Sequence, residues 1–286
     1  MGDFVLIHEM SPRDGLQNEK VPISTADKIR LVDVLSGCGF RRIEVTSFVR
    51  ADWVPQLADA ADVMAGIIRR PGTDYTVLTP NLRGLEAAVK AKADRVAVFA
   101  SASESFSLKN INCSISESIE RFRPVMDAAL RHGIPVRGYV SCVTDCPYEG
   151  EVSPDAVASV AAALADLGCH EVSLGDTLGR GTPDRVSRML DAVLAKVDAG
   201  RLAGHFHDTS GTAIENIAVS LGKGLRVFDA SAGGLGGCPY APGAAGNVGT
   251  GDVADYLAAN GFETGLDRAR LVKAEAFARS LKGPQE

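Results

Sequence analysis

Short apolar runs rich in β-branched residues recur along the chain: "FVLIHEM", "RRIEVTSF", "YTVLTP", "RVAVFAS", "PVRGYVSC", "EVSLGDT", "LAGHFHDT" and "RVFDASAG". Each reads as a strand, and the segments between them carry apolar residues at helical spacing. Thr25 to Leu35 places Ile29, Leu31, Val32 and Leu35 on one side, and Glu117 to Leu130 runs through Ile119, Phe122, Met126 and Leu130. Ala156 to Leu167 repeats the pattern with Val157, Val160, Leu164 and Leu167. Ser24, Ser116, Ser153-Pro154 and Thr182-Pro183 precede helices as caps, while His132-Gly133 and Gly168 read as helix ends. Every helical run is long enough for a right-handed crossover between parallel strands.

About eight strand–helix units in one chain favour an α/β fold, a single (β/α)8 TIM barrel with additional C-terminal helices. An open doubly wound sheet is the alternative, but no G-x-G-x-x-G follows the first strand. After Asp252, "VADYLAAN" and "LDRARLVKAEAFARSL" predict helices that cap the barrel or dock a partner subunit. No low-complexity linker interrupts the pattern, so residues 1–286 read as one domain, with 252–286 as its capping or oligomerisation helices.

Composition narrows the function. The net charge is −6 and no basic cluster forms, so a nucleic-acid footprint is missing. No apolar run reaches the ~20 residues that span a bilayer, and the N-terminus lacks the basic flank of a signal peptide. A cytoplasmic location is expected. Six cysteines stand at 38, 113, 142, 146, 169 and 238 without a C-x-x-C pair, and are expected to be reduced thiols.

Candidate chemistry gathers where strands end. In "GHFHD", His205 and His207 are two apart on a strand and so share a face, with Phe206 on the other. Strand one runs into Arg13-Asp14, strand two carries Glu44, strand six runs into Asp176, and Asp208 follows the histidines. Unpaired, such charges would be costly at a barrel mouth, and a shared site explains them together. Imidazole nitrogens with carboxylate oxygens suit Mg²⁺, Mn²⁺, Zn²⁺ or Co²⁺. Arg13 is placed to meet a carbonyl or carboxylate oxygen of a substrate. The segment "GGLGGCPYAPGAAGN" (233–247) has six glycines and reads as a functional loop, with Cys238 placed for proton transfer or nucleophilic work and Asn247 as a neutral oxygen ligand.

"SPRDGLQNE" (11–19), "IEVTSFV" (43–49), "GYVSCVTDCPYEG" (138–150), "SLGDTLGRGTP" (173–183), "HFHDTSG" (205–211) and the 233–247 loop together resemble the 3-hydroxy-3-methylglutaryl-CoA lyase family. The resemblance implies a metal-dependent carbon–carbon lyase acting on an acyl-CoA thioester. It implies a divalent cation, Mg²⁺ or Mn²⁺, held by Asp14, His205, His207 and Asn247. Arg13 would steady the thioester enolate and Cys238 would take part in proton transfer, with Asp14 or His205 as the base that takes the hydroxyl proton. Glu44 and Asp176 match positions close to the site, Glu9 a supporting acid, and Ser47, Lys109 and Asn110 positions that meet substrate or coenzyme A. A homodimer is expected, with no nucleic-acid or membrane partner. The chain departs from the family pattern at Ser210, Gly251, Phe206 and in "SAGGLGG", with Ser210 and Gly251 expected near the mouth, where they bear on acyl-chain preference.

Overall fold

The computed structural model describes residues 2–236 and 246–282. Eight parallel strands close into a barrel: β1 (Leu6–Glu9), β2 (Arg42–Ser47), β3 (Asp74–Leu78), β4 (Arg95–Ser101), β5 (Val136–Ser141), β6 (Glu171–Asp176), β7 (Leu202–Phe206) and β8 (Val227–Ala230). Neighbours in sequence are neighbours in the barrel, and β1 closes on β8 with Glu9 opposite Ala230. The strands fall on the eight runs that the apolar pattern marks out, with β3 starting one residue earlier, at Asp74.

Helices return the chain from each strand to the next. They are α1 (Thr25–Ser36), α2 (Ala60–Gly66), α3 (Leu82–Lys90), α4 (Glu104–Ile111), α5 (Ile115–Arg131), α6 (Pro154–Leu167), α7 (Pro183–Leu194), α8 (Ala213–Gly222), α9 (Thr250–Ala259) and α10 (Arg268–Ser280). The hydroxyls of Ser24, Ser153 and Thr182 each accept the backbone N–H three residues on, as their places in the sequence predict. One cap differs from expectation. Ser114, not Ser116, starts α5, because Ser114 and Glu117 form a reciprocal capping box: Glu117 N–H donates to Ser114 Oγ at 3.1 Å and Ser114 N–H to Glu117 Oε2 at 2.8 Å. Ser116 falls inside the first turn.

The helices press their apolar stripes onto the outside of the strands in one continuous core that runs from Val5 to Ala278. Leu31, Val32 and Leu35 of α1 and Val157, Val160 and Leu164 of α6 are buried there. The C-terminal helix α10 lays Leu271, Ala274 and Ala278 against its own chain, contacting α1, α9 and the turn at 232–234.

The inside of the barrel is polar. Arg137 of β5 is 1% exposed and reaches Asp229 of β8 through Nη2 at 2.7 Å and Glu171 of β6 through Nε at 2.8 Å. Arg42 of β2 pairs with Glu171 from the other side at 2.9 Å. A guanidinium buried this deeply is tolerated because carboxylates on two other strands neutralise it.

Removing one member of such a cluster leaves an uncompensated buried charge. Arg137→Met is therefore expected to lower the unfolding free energy by about 3–5 kcal/mol in urea titration. Arg123→Met, in an exposed pair with Glu120 on α5, is expected to denature with the wild type. Equal denaturation midpoints for all three proteins would contradict this account of the interior.

Candidate metal centre

The site starts just beyond β1. Ser11–Gly15 forms a single π turn in which the Met10 carbonyl accepts the N–H groups of Arg13, Asp14 and Gly15 at 3.2, 2.9 and 3.2 Å. Such widened turns recur at functional sites, and here it brings the side chains of Arg13 and Asp14 over the barrel mouth. Glu9 fixes the turn from behind. Its Oε1 accepts from Ser11 N and Ala232 N, both at 2.9 Å, and its Oε2 from the Thr250 hydroxyl at 2.7 Å. Burial pushes its carboxyl up, against those hydrogen bonds. Glu9 thus joins three chain segments beneath the site.

On the opposite side β7 delivers His205, and His207 follows one residue past the strand end, bridged to Asn247. Their rings lie 5.4 Å apart between centroids and 45° apart in plane. Phe206 between them is buried in the apolar layer, so the alternation expected of the tripeptide holds. Asp14, His205 and His207 each offer one donor atom, and the three atoms fall within 4.8 Å of one another. Asn247 joins them: its Nδ2 donates to Asp14 Oδ2 at 2.7 Å and to the Leu235 carbonyl at 3.2 Å. Gly236, with φ of +98°, passes close by, and a Cβ there would meet Asn247 Nδ2 at 2.6 Å.

The chemistry of these donors fits a divalent ion. His205 turns Nδ1 to Asp229 Oδ2 at 3.1 Å, which leaves Nε2 for the cage. His207 is hydrogen-bonded to the Thr177 backbone, and its buried Nδ1 has no partner among the described residues. An orphaned imidazole nitrogen in so polar a spot is what a ligand position needs. Burial, then the neighbouring His205, lowers the His207 pKa to about 4, so the ring is neutral at physiological pH. Burial alone would raise the Asp14 carboxyl. Arg13 and then the two imidazoles outweigh it and hold its pKa down to about 2. Two imidazoles and one carboxylate with an amide alongside make a mixed nitrogen–oxygen set.

Arg13 lies between two carboxylates, donating Nε to Glu44 and Nη1 to Asp14. The Tyr139 hydroxyl donates to the other oxygen of Glu44, and the ring of Tyr139 lies under Arg13, 5.6 Å from its guanidinium carbon. A register shift between Glu44 and Thr46 in the pairing of β2 with β3 sits at this point, as bulges beside active sites commonly do. Glu44 therefore orients the arginine and lies one residue removed from the cage.

The remaining expected residues scatter more widely. Asp176 ends β6, but its oxygens accept from the Thr144 hydroxyl at 2.7 Å and Gly181 N at 2.8 Å, so it organises the following loop. Burial raises its pKa. Asp208 turns away to accept Ala213 N at the start of α8, 3.0 Å. Ser47 is buried with a hydroxyl that has no protein partner, while Lys109 and Asn110 are exposed near the end of α4. Cys238 lies outside the described residues. Ser210 is exposed on the loop after β7. Gly251 follows Thr250, whose hydroxyl bonds Glu9 behind the site. It is buried in the first turn of α9, its N–H donating to Glu275 of α10 at 2.8 Å, and a Cβ there would strike that carboxylate.

Four residues beneath the cage escaped the sequence reading: His8, Arg137, Tyr139 and Asp229. Each sits mid-strand inside an otherwise apolar run, and that interruption was the available signal.

With its donors gathered at the carboxyl ends of the strands, the molecule has the layout of a metal-dependent (β/α)8 enzyme. It belongs to the HMGL-like family, whose model matches residues 5–278. It is 57% identical to the 3-hydroxy-3-isohexenylglutaryl-CoA/hydroxy-methylglutaryl-CoA lyase of Pseudomonas aeruginosa, over 94% of this chain and 90% of the relative. Identity is 55% to the cytoplasmic 3-hydroxy-3-methylglutaryl-CoA lyase of Danio rerio, over 96% of this chain and 82% of that protein. The crystal structure of the HMG-CoA lyase from Brucella melitensis superposes with a TM-score of 0.97 at 63% identity, covering 98% of this chain and 99% of that one. A further HMG-CoA lyase, from Acinetobacter baumannii, solved in complex with coenzyme A and 3-methylmalate, gives a TM-score of 0.92 at 36% identity, covering 98% and 91%. No helix among the described residues is long and apolar enough to cross a membrane.

The lowered pKa of His207 fixes a pH dependence. Between the ordinary imidazole value near 6.5 and about 4, the unfolded chain carries a proton that the folded site refuses. Falling pH through this window therefore favours unfolding. In chelated protein, His207→Asn is expected to flatten the decline of unfolding free energy there, by at most about 3 kcal/mol. A wild-type slope in the variant, followed by urea titration at stepped pH, would count against a buried neutral His207.

Proposed function

We propose that the chain cleaves 3-hydroxy-3-methylglutaryl-CoA to acetyl-CoA and acetoacetate, with a divalent cation, Mg²⁺ or Mn²⁺, at the mouth of the barrel. The observation that carries this reading is the convergence of Asp14, His205 and His207 within 4.8 Å, with Arg13 beside them. The family match supports it, as do the names of relatives that cover most of their length with this chain.

Asp14, His205, His207 and the side-chain oxygen of Asn247 would hold the cation. When bound, it supplies the Lewis acidity that makes a tertiary alcohol easier to ionise. Asp14, with a pKa of about 2, is suited to remain an anion rather than to keep a proton. His207, at about 4, is a poor proton store as well. We assign the hydroxyl proton to His205 at a stage when its Nε2 is released from the cation, with Nδ1 still engaged by Asp229. Loss of the hydroxyl proton lets the C2–C3 bond break. The electron pair of the old C–O–H becomes the ketone of acetoacetate, and the C–C pair becomes the enolate of the acetyl thioester. Arg13, held by Glu44 and Asp14, presents its remaining N–H groups to the enolate oxygen as charge builds there. Protonation at C2 completes acetyl-CoA, and we assign that proton to Cys238 or to His205. The acyl-CoA itself would meet Ser47, Lys109 and Asn110, and Asp176 shapes the loop that borders it.

We further read the protein as a cytoplasmic homodimer. The C-terminal helix α10, which keeps Val272 exposed, supports a second copy docking there.

The direct test follows acetyl-CoA release by purified protein from 3-hydroxy-3-methylglutaryl-CoA and its longer 3-alkyl analogues. Turnover is expected to vanish on chelation and return with Mg²⁺ or Mn²⁺, and absence of acetyl-CoA from every analogue with either metal would overturn the reading. Arg13→Gln should lower kcat by roughly 10²–10³-fold with a much smaller change in KM, because its partner charge peaks in the transition state. Cys238→Ser should keep its metal content and lose rate. Loss of metal instead would make Cys238 a ligand.

A further inference from the structure

Beneath the cage, β1, β8 and β7 are neighbours, and in their pairing His8 stands opposite Asp229 and Asp229 opposite His205. One carboxylate is thus flanked in register by two imidazoles. We infer that Asp229 is a positioning residue for the metal centre: it fixes which nitrogen of His205 carries the proton and aims the other into the cage. The inference rests on the metal reading of the site.

Donors converge unequally on the two oxygens of Asp229. Oδ1 accepts Arg137 Nη2 at 2.7 Å. Oδ2 meets three groups: Arg137 Nη1 at 3.0 Å, the Ser173 hydroxyl at 2.8 Å and His205 Nδ1 at 3.1 Å. A counterion for Arg137 alone would need only the paired guanidinium contacts. Here the carboxylate cannot rotate without losing bonds to β5, β6 and β7 together. A carboxylate without a proton only accepts, so His205 Nδ1 must be the donor. Its Nε2 then keeps the lone pair on the cage side, whether that lone pair meets a cation or the proton of a hydroxyl.

His8 shows the opposite assignment from the other flank. Its Nδ1 lies 3.0 Å from Arg137 Nη1, which can only donate, and 3.9 Å from Asp229 Oδ1. His8 therefore accepts at Nδ1 and carries its proton on Nε2, which has no protein partner. The same buried pair sets two histidines in opposite tautomers, and only one of them belongs to the cage.

Metal-ligating imidazoles gain orientation and basicity from a carboxylate on their second nitrogen, and losing it costs roughly 10–100-fold in metal affinity. The experiment compares Mn²⁺ binding to chelated full-length protein by electron paramagnetic resonance titration. Asp229→Asn, checked for folding by circular dichroism, is expected to bind Mn²⁺ roughly 10–100-fold more weakly. His8→Asn perturbs the other flank of the same cluster and is expected to bind as the wild type does. Equal affinity in Asp229→Asn and wild type, or equal losses in both variants, would overturn the inference. Should Asp229→Asn fail to fold, wild-type protein with ¹⁵N-labelled histidine and Mg²⁺ decides the matter: a proton on His205 Nδ1 supports the assignment, and a proton on Nε2 defeats it. Because binding is read without turnover, tight Mn²⁺ with no acetyl-CoA release would sink the proposed reaction and leave Asp229's role standing.

Discussion

Neutralising charge inside a closed barrel is the constraint on which the rest of this structure depends. Arg137 and Arg13 are both nearly sealed from water, and each is tolerable only because two carboxylates flank it. The two guanidinium groups share the ring of Tyr139 between them, and its hydroxyl joins Glu44 to Arg137. A continuous hydrogen-bonded chain therefore runs from Arg13 through Glu44, Tyr139, Arg137 and Asp229 to His205. The arginine that meets a developing oxyanion and the imidazole that meets a cation are braced by the same interior scaffold. Preorganisation of this kind avoids reorienting dipoles at the moment of reaction.

The outer shell solves a different problem. Apolar stripes on the helices and the outward faces of the strands make one core, and that core needs no particular chemistry at the mouth. Loops after β1, β6, β7 and β8 can then specialise. Glu9, Asp176 and Asp208 each give carboxylate oxygens to backbone N–H groups of those loops, which turns flexible connections into fixed ones. Acidic residues near the site thus divide into one that faces the cage, Asp14, one that holds Arg13, Glu44, and several that hold the loops around it.

Much of this was legible in the sequence because the signals are local. Period-two and helical apolar patterns place all eight strands, and three of the four helix caps follow from a hydroxyl residue before the pattern. The spacing of His205 and His207 and the Arg13-Asp14 pair at a strand end were readable for the same reason. What escaped depends on contacts between distant strands. Asp229 and Arg137 look like flaws in apolar runs until β5 and β8 face each other across the barrel. Asp176 shares the strand-end position of true cage residues, and only its partners, Thr144 and Gly181, reveal its different task. A helical stripe starting at Glu117 points to Ser116 as its cap, whereas the reciprocal bonds of Ser114 and Glu117 set the boundary earlier.

The bare backbone at Gly251 carries an evolutionary consequence. The Glu275 carboxylate occupies the space a side chain at 251 would fill, and it bonds to the glycine's own N–H. Residues 251 and 275 therefore form a lock between remote stretches of chain. A side chain at 251 would oblige the flexible ends of Glu275 and Arg268 to swing aside, so a replacement at either end of this contact changes the setting in which the other is accepted.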